Sequence, residues 1–284
     1  MPQNRTPDWV SFAPVHLKLL AATALIAAPA SVWAATVPYS NDFSGSGTNT
    51  AFTTQDTTYS VTGGVYKFST SNTATAASNA SIQLTDLGTQ SFTIQSQVTV
   101  TSFGAPNGQG ITVGLGSFGG DSTFSAASAA KAYYLADWTV DAGAGGTGSG
   151  TLRILSLGDA SGFNNVNGLA DGNTSSTSFA ATLNTTYTLK LTGTYTGSGA
   201  SKTLNLSLGV FDATGTTKVA GSTFATATDT SPLTGTNFGY RNRLGIGGGT
   251  FTTNFDNYSV AVPEPASLSI LAGAGLLSLR RRRR

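Results

Sequence analysis

The sequence predicts an all-β protein built as a two-sheet antiparallel sandwich. Apolar and polar residues alternate at period two in many short segments, so that each segment has one apolar face. Glycine and asparagine turns separate these segments, and helix-forming residues are scarce between them. Because no strand–helix–strand rhythm is present, we expect antiparallel sheets that bury their apolar faces against each other.

The first residues have the pattern of a signal peptide. Lys18 precedes an apolar run, residues 19–30, and small residues occupy the usual positions before a cleavage site. We therefore expect signal peptidase to cut between Ala34 and Ala35. Residues 1–34 are predicted to direct the chain to the export machinery.

The strands are predicted from the alternation itself. It is clearest in residues 91–100, 186–191 and 203–208. Shorter candidates have the same character, and they are residues 65–68, 80–84, 110–115, 132–140, 152–157, 238–246 and 255–260. A stretch rich in Ala and Ser, residues 124–131, is consistent with either a short helix or a crossing loop.

The C-terminal residues combine three features in a fixed order. A tripeptide comes first, Pro263, Glu264 and Pro265, and an apolar stretch follows it, residues 266–279. Five arginines end the chain, and they are Arg280, Arg281, Arg282, Arg283 and Arg284. As a helix the apolar stretch would be about 21 Å long, short of the roughly 30 Å hydrocarbon core. The arginines are expected to stay on the cytoplasmic side, while the prolines keep the preceding segment extended outside the membrane.

This arrangement resembles the PEP-CTERM sorting signal, and the match covers residues 262–284. The resemblance implies a surface protein of a Gram-negative bacterium that makes exopolysaccharide. It also implies that the tail holds the protein in the membrane until exosortase, a membrane enzyme, recognises and cleaves it. A permanent tail anchor with a chance Pro-Glu-Pro is the alternative. The expected organisation is a signal peptide, an ectodomain of residues 35–262, and a sorting signal of residues 263–284.

The charge of the ectodomain differs from that of the whole chain. The chain carries a net charge of +2, but residues 35–262 hold eight basic and eleven acidic residues, a net charge of −3. The basic residues are concentrated at the ends, so a nucleic-acid partner is excluded. The chain contains no cysteine, so its stability has to come from a hydrophobic core.

Three short motifs of the ectodomain are similar to those of the concanavalin A-like, laminin-G-like jelly roll. They are residues 39–43, residues 187–192 followed by 204–211, and residues 255–260. The resemblance implies a jelly roll over residues 37–260 whose first and last strands pair, which would bring Asp42 and Asp256 together. With Asn257 these side chains offer the hard oxygen ligands of a structural Ca²⁺ ion. The alternative is that both carboxylates accept backbone N–H bonds at strand ends.

Residues 35–262 contain few side chains that could act in catalysis. Residues 35–262 contain no His, Cys or Glu, which excludes imidazole-dependent triads, thiol chemistry and His or Cys zinc sites. Glycoside hydrolysis needs two carboxyl groups about 5–9.5 Å apart, and only aspartates are available. A G-x-G-x-x-G match at residues 114–119 is expected by chance among thirty-five glycines. The sequence therefore predicts no enzyme and no catalytic residue.

Residues 133–138 are the best candidates for ligand binding. Period two places Tyr134 and Trp138 on one face of a strand and Asp137 on the other. Exposed rings beside a carboxylate would suit a shallow saccharide site. The alternative is that the rings fill the core.

Two functions remain. We favour an exported, non-enzymatic protein of the cell surface or extracellular matrix, associated with exopolysaccharide. The alternative is a Ca²⁺-dependent carbohydrate-binding lectin, and a secreted polysaccharide hydrolase is a distant third. Exposure of Tyr134 or Trp138 in a groove would favour the lectin, whereas a surface studded with Thr and Ser would favour the matrix role.

Overall fold

The computed structural model describes residues 38–48, 52, 54–55, 58–71, 76–84, 87–103, 111–119, 133–141, 150–157, 174–177, 181–244 and 250–262. The predicted signal peptide, the sorting tail and the stretch 124–131 lie outside these residues. In the part that is described, no helix has the length and apolar character needed to cross a membrane.

The described residues form fifteen strands and one short 3₁₀ helix. The first eight strands are β1 (Tyr39–Asn41), β2 (Thr54–Gln55), β3 (Tyr59–Thr62), β4 (Val65–Ser71), β5 (Ala76–Gln83), β6 (Phe92–Phe103), β7 (Ile111–Gly119) and β8 (Tyr133–Asp141). The others are β9 (Thr151–Leu157), β10 (Thr174–Thr177), β11 (Thr186–Thr196), β12 (Thr203–Phe211), β13 (Ala225–Asp229), β14 (Asn237–Leu244) and β15 (Thr250–Ala261). The 3₁₀ helix, Gly199–Ser201, connects β11 to β12.

The strands form two sheets, and all their pairings are antiparallel. The eight-stranded sheet has the order β13-β12-β11-β6-β15-β4-β3, with β1 paired to β15 outside this path. The seven-stranded sheet has the order β10-β9-β8-β7-β14-β5-β2. The predicted fold class, an all-β jelly-roll sandwich of two antiparallel sheets, is confirmed.

The first and last strands of the sandwich pair, as the jelly-roll resemblance implied. Tyr39 lies opposite Val260, and Asn41 lies opposite Tyr258. A register shift in β15 between Asp256 and Ser259 marks a bulge beside this pairing. The pairing brings the two ends of the domain together on the eight-stranded sheet.

The core lies between the inner faces of the two sheets and is rich in aromatic rings. Trp138 of the seven-stranded sheet meets Tyr187 of the eight-stranded sheet edge to face, with ring centroids 5.5 Å apart. Tyr240 and Phe255 face each other across the same interface at 4.3 Å. The Tyr240 hydroxyl lies 3.0 Å from that of Ser96, which satisfies a polar group inside the apolar layer.

A glycine in β11 fits under an aromatic ring of the neighbouring strand. A Cβ at Gly193 would lie 2.3 Å from the ring of Phe92, which is buried in the core. The substitution Gly193→Ala is therefore expected to destabilise the protein by about 1–3 kcal/mol through overpacking, measured by urea unfolding. The double variant Gly193→Ala, Phe92→Leu relieves the clash and should recover part of the loss. Equal stability of Gly193→Ala and the wild type would contradict this packing.

Candidate functional site

The predicted binding rings of β8 lie in the core. Tyr134 and Trp138 are both fully buried and belong to the main hydrophobic cluster. Their face of β8 points towards the eight-stranded sheet, where Trp138 meets Tyr187. We therefore correct the ligand-binding assignment of these two rings, because neither offers a surface on which a sugar could stack.

The Tyr134 hydroxyl holds the segment after β13 instead of a ligand. It donates a hydrogen bond to the buried carboxylate of Asp229 and accepts one from the Leu233 N–H at 3.0 Å. Burial raises the pKa of Tyr134, and the bond to Asp229 raises it further. The phenol is therefore a neutral structural donor.

Asp137 lies on the opposite, outer face of the seven-stranded sheet, and it is buried there. Arg153 of β9 lies opposite it in the register and donates two hydrogen bonds, from Nε at 2.8 Å and from Nη2 at 2.6 Å. Burial lowers the pKa of Arg153, but the charge and hydrogen bonds of Asp137 outweigh it, and the net shift is upward. The carboxylate predicted for a ligand is therefore held by the forked hydrogen bonds of Arg153.

The glycine motif of residues 114–119 lies within a strand. It belongs to β7, so a phosphate-binding loop at this position is excluded. By register, Gly114 and Gly119 lie on the outer face, opposite Asp137 and Tyr133. Arg241 of β14 reaches across β7 to donate a hydrogen bond to the Tyr133 hydroxyl.

The predicted metal ligands lie at the edge where β1 meets β15. Asp42 and Asp256 are close enough for their charges to interact, as the strand pairing implied. Asp42 accepts the Ser44 N–H at 3.1 Å, and Asp256 accepts the Asn257 N–H at 2.7 Å. Both carboxylates therefore make the turn-type hydrogen bonds that were the alternative to metal binding. We call Asp42, Asp256 and Asn257 the edge site.

An open depression of about 470 Å³ adjoins the edge site. Its lining is almost entirely polar, and it consists of Ser40, Asn41, Asp42, Gln95, Asn257, Tyr258 and Ser259. Asn257 has a φ of 49°, a left-handed conformation that asparagine tolerates better than most residues. Its side chain donates to the Gln97 side-chain oxygen at 3.0 Å, which fixes the amide beside the two carboxylates.

The two carboxyl groups of the edge site have opposite pKa shifts. The backbone N–H and side chain of Ser44 lower the pKa of Asp42. Burial raises the pKa of Asp256, the Asn257 N–H lowers it, and the charge of Asp42 raises it, with a net upward shift. The charge of Asp42 therefore adds to the cost of ionising Asp256.

The substitution Asp256→Asn tests this shift. A carboxyl group whose pKa is raised by folding binds more protons in the native state, so its ionisation lowers stability as pH rises through the raised value. The variant cannot ionise at this position and keeps the stability that the wild type loses as the carboxyl group ionises. It should therefore be more stable than the wild type at pH 7 and equally stable at pH 3, measured by urea unfolding. Asp212→Asn is the control of opposite sign, because hydrogen bonds from Thr214 and neighbouring N–H groups lower the pKa of Asp212. It should lower stability at neutral pH; the same sign for both variants would contradict these shifts.

The outer face of the eight-stranded sheet is polar over most of β6, β11 and β12. Its side chains alternate with the buried residues of β6, β11 and β12. We call it the outer polar face, and it comprises Thr93, Gln95, Gln97, Thr99, Thr186, Lys190, Thr192, Thr194, Asn205 and Ser207. The hydroxyls of Thr99 and Thr186 pair across strands at 2.8 Å. This face presents hydroxyl and amide groups in rows that follow the strands.

Gln97 links the outer polar face to a turn that the sequence did not single out. Its side chain donates to the Ala213 carbonyl at 2.8 Å while accepting from Asn257. Asp212 organises this turn by accepting the Thr214 hydroxyl at 2.7 Å and the Thr216 N–H at 3.1 Å. The Asp-x-Thr-x-Thr spacing is the sequence signal for the turn, but its docking on Gln97 depends on the sheet register.

No family model and no curated protein sequence matches the chain. Among solved structures it is similar to the carbohydrate recognition domain of Emp47p, with a TM-score of 0.49, 14% identity, and 79% of this chain and 95% of that chain covered. The legume lectin-like domain from Entamoeba histolytica has a TM-score of 0.46 at 9% identity, with 74% and 89% covered. Alginate lyase Aly36B has a TM-score of 0.43 at 16% identity, with 78% and 89% covered. The function therefore has to be argued from this chain's own residues.

Proposed function

We propose that the chain is an exported, non-enzymatic protein of the cell surface or extracellular matrix that contacts exopolysaccharide through its outer polar face. The observation that carries the proposal is the distribution of side chains in the sandwich. The aromatic rings expected to bind a sugar fill the core, while hydroxyl and amide groups cover the outer face of the eight-stranded sheet. Such groups exchange hydrogen bonds with polysaccharide hydroxyls and with the water between them.

The two ends of the chain support export and sorting in this proposal. Residues 1–34 have the signal-peptide pattern, and residues 263–284 have the PEP-CTERM pattern. Signal peptidase and exosortase are the proposed processing partners, and the tail anchors the protein in the membrane before its cleavage. Because β1 pairs with β15, the sandwich would then hang from a single point beside the membrane.

Fractionation of a Gram-negative host that makes exopolysaccharide and carries exosortase tests this proposal. The full-length chain is expected in the surface or matrix fraction, shortened at both ends by mass spectrometry. A variant with Pro263, Glu264 and Pro265 all replaced by Ala should keep its tail and remain in the inner-membrane fraction. The matched control replaces Thr234 and Thr236, which lie far from the tail in sequence, by Ala. Recovery of the wild-type chain in the cytoplasm would overturn the proposal.

A Ca²⁺-dependent lectin is the second candidate, favoured by the edge site. The carboxylates of Asp42 and Asp256, the Asn257 amide and backbone carbonyls have the oxygen chemistry that Ca²⁺ takes. The described residues contain no group of three or more His, Cys, Asp or Glu, so amides, carbonyls and water would have to complete the ligands. These residues fit a structural Ca²⁺ ion that is bound weakly better than one that is bound tightly.

Thermal unfolding with and without Ca²⁺ separates these candidates. If the edge site binds the ion, millimolar Ca²⁺ should raise the Tm of the full-length chain, and chelator should reverse the rise. The variant Asp42→Asn, Asp256→Asn should not respond. Calorimetric titration with the host's exopolysaccharide then shows whether binding requires the ion. Binding that survives chelator favours the matrix protein, and binding that chelator abolishes favours the lectin.

A further inference from the structure

The outer face of the eight-stranded sheet also carries an exposed aromatic patch at β12. Phe224 is 45% exposed, and its ring lies against Gly209. A Cβ at Gly209 would lie 2.5 Å from this ring, so glycine is what allows the ring to rest on the strand. Phe211, the last residue of β12, lies beside it with ring centroids 6.0 Å apart. The two rings form a partly exposed platform on the sheet.

Two lysines flank this platform. The Lys190 ammonium lies 4.6 Å from the centroid of the Phe211 ring, and the Lys218 ammonium lies 5.9 Å from that of Phe224. Both donate hydrogen bonds to backbone carbonyls, which hold them beside the rings. Within the described part of the chain, neither ammonium lies within ion-pair distance of a carboxylate. The platform therefore presents two positive charges that are not in ion pairs with described carboxylates.

We propose that this aromatic–lysine patch, formed by Phe211, Phe224, Lys190 and Lys218, binds an acidic polysaccharide whose sugars carry carboxylates. The exposed ring offers an apolar face for the C–H groups of a sugar, and the ammonium groups pair with its carboxylates. A neutral glycan would use the ring but leave both charges without a partner. The inference rests on the proposed function and names the class of polysaccharide that the protein contacts.

The charge of the rest of the ectodomain makes this patch selective. Residues 35–262 carry a net charge of −3, so this part of the chain as a whole repels an acidic polymer. Binding then depends on local positive charge, which Lys190 and Lys218 supply beside the two rings. Since these charges are partly exposed, added salt weakens the attraction.

Titration of the full-length chain with polygalacturonate, and with neutral dextran for comparison, tests the proposal. In the wild-type background and in every variant Arg280, Arg281, Arg282, Arg283 and Arg284 are replaced by Gln, so that the tail does not itself bind the polyanion. The wild type should bind polygalacturonate more tightly than dextran, and this preference should shrink as salt is added. Phe224→Ala should weaken binding to polygalacturonate at least about threefold through loss of the stacking contact. Lys190→Gln with Lys218→Gln should remove most of the salt dependence, since glutamine can still donate to the same carbonyls.

Gly209→Ala examines the platform without removing any of its side chains. The new methyl group occupies the place of the Phe224 ring and displaces it, so binding should fall as it does in Phe224→Ala. Leu183→Ala is the matched control, because Leu183 is 42% exposed but lies outside the patch. Lys202→Gln is the corresponding charge control. Thermal unfolding of each variant shows that it is folded.

The outcomes separate this inference from the proposed function. If patch variants bind polygalacturonate as the wild type does, or if the wild type does not bind it, the inference is overturned. The proposed function still stands in that case, provided that fractionation recovers the wild type in the matrix or at the surface. If the wild type is absent from those fractions, the proposed function fails whatever the titration shows.

Discussion

Replacement of Arg153 by Met is expected to destabilise the protein by about 3–5 kcal/mol at neutral pH. Asp137 is fully buried, and both of its carboxylate oxygens accept hydrogen bonds from Arg153, at 2.8 and 2.6 Å. Methionine fills much of the space of the arginine stem but carries no charge. The carboxylate then keeps the cost of its desolvation and loses the opposite charge that offset it. Urea unfolding followed by circular dichroism measures the difference.

The double variant Asp137→Leu, Arg153→Met is the control for this prediction. It removes both charges together, and replacement of a whole buried pair by apolar residues is often neutral or stabilising. The double variant should therefore be clearly more stable than Arg153→Met alone. If the single variant costs less than about 1 kcal/mol, or if the double variant is the less stable of the two, Asp137 does not depend on Arg153 in the way that the geometry indicates.

Much of the fold was predictable because the strands that form the core alternate strongly. In β11, Tyr187, Leu189 and Leu191 all face the core, and the segment predicted from them, residues 186–191, forms the first part of the strand. Strands β2, β3, β10 and β13 were not predicted. The sequence of β13 alternates only through Ala225 and Ala227, whose side chains are too small to give a hydrophobic signal, and β10 consists of Thr and Ser alone.

The candidate sites were less predictable because they depend on strand pairing. Period two places Asp137 on the face opposite Trp138, and that placement is correct. Its burial was not predicted, because a pattern with one apolar face treats the other as exposed to solvent. Arg153 meets Asp137 only because β8 pairs with β9 in one register. A register shifted by one residue would turn Arg153 to the other face.

The edge site shows what a resemblance adds to such patterns. Periodicity says nothing about Asp42 and Asp256, which are 214 positions apart in the sequence. The expected pairing of the first and last strands predicted that they meet, and β1 does pair with β15. The aromatic–lysine patch had no such guide, because Phe224 lies just before β13, which was not predicted, and its contacts with Gly209 and Phe211 depend on the pairing of β12 with β13.

The structure places the expected binding surface on the eight-stranded sheet and not on the seven-stranded sheet, where the sequence had predicted it. The ring pair of β8 is enclosed between the sheets, so the seven-stranded sheet offers no stacking surface there. Among the described residues, a broad set of hydroxyl and amide groups, with Lys190, lies on the outer polar face of the other sheet. A broad surface of this kind makes many weak contacts along a polymer, which suits a matrix protein better than a pocket for one sugar.

Removal of the Trp138 side chain should destabilise the protein, because the ring lies in the core and not at a binding surface. Trp138 is fully buried and meets Tyr187 across the two sheets, so Trp138→Ala is expected to cost about 3–5 kcal/mol. Trp138→Phe keeps a ring in the same place and should cost less. Urea unfolding followed by circular dichroism gives both values.

Phe224→Ala is the matched comparison, because it also removes an aromatic ring, but one that is 45% exposed. Its stability should lie within about 0.5 kcal/mol of that of the wild type, as for most surface substitutions. The two variants should therefore separate a ring that stabilises the fold from a ring that is available to a ligand. If Trp138→Ala proved as mild as Phe224→Ala, the Trp138 ring would have to lie at the surface, and sugar stacking on β8 would again be the better account of binding.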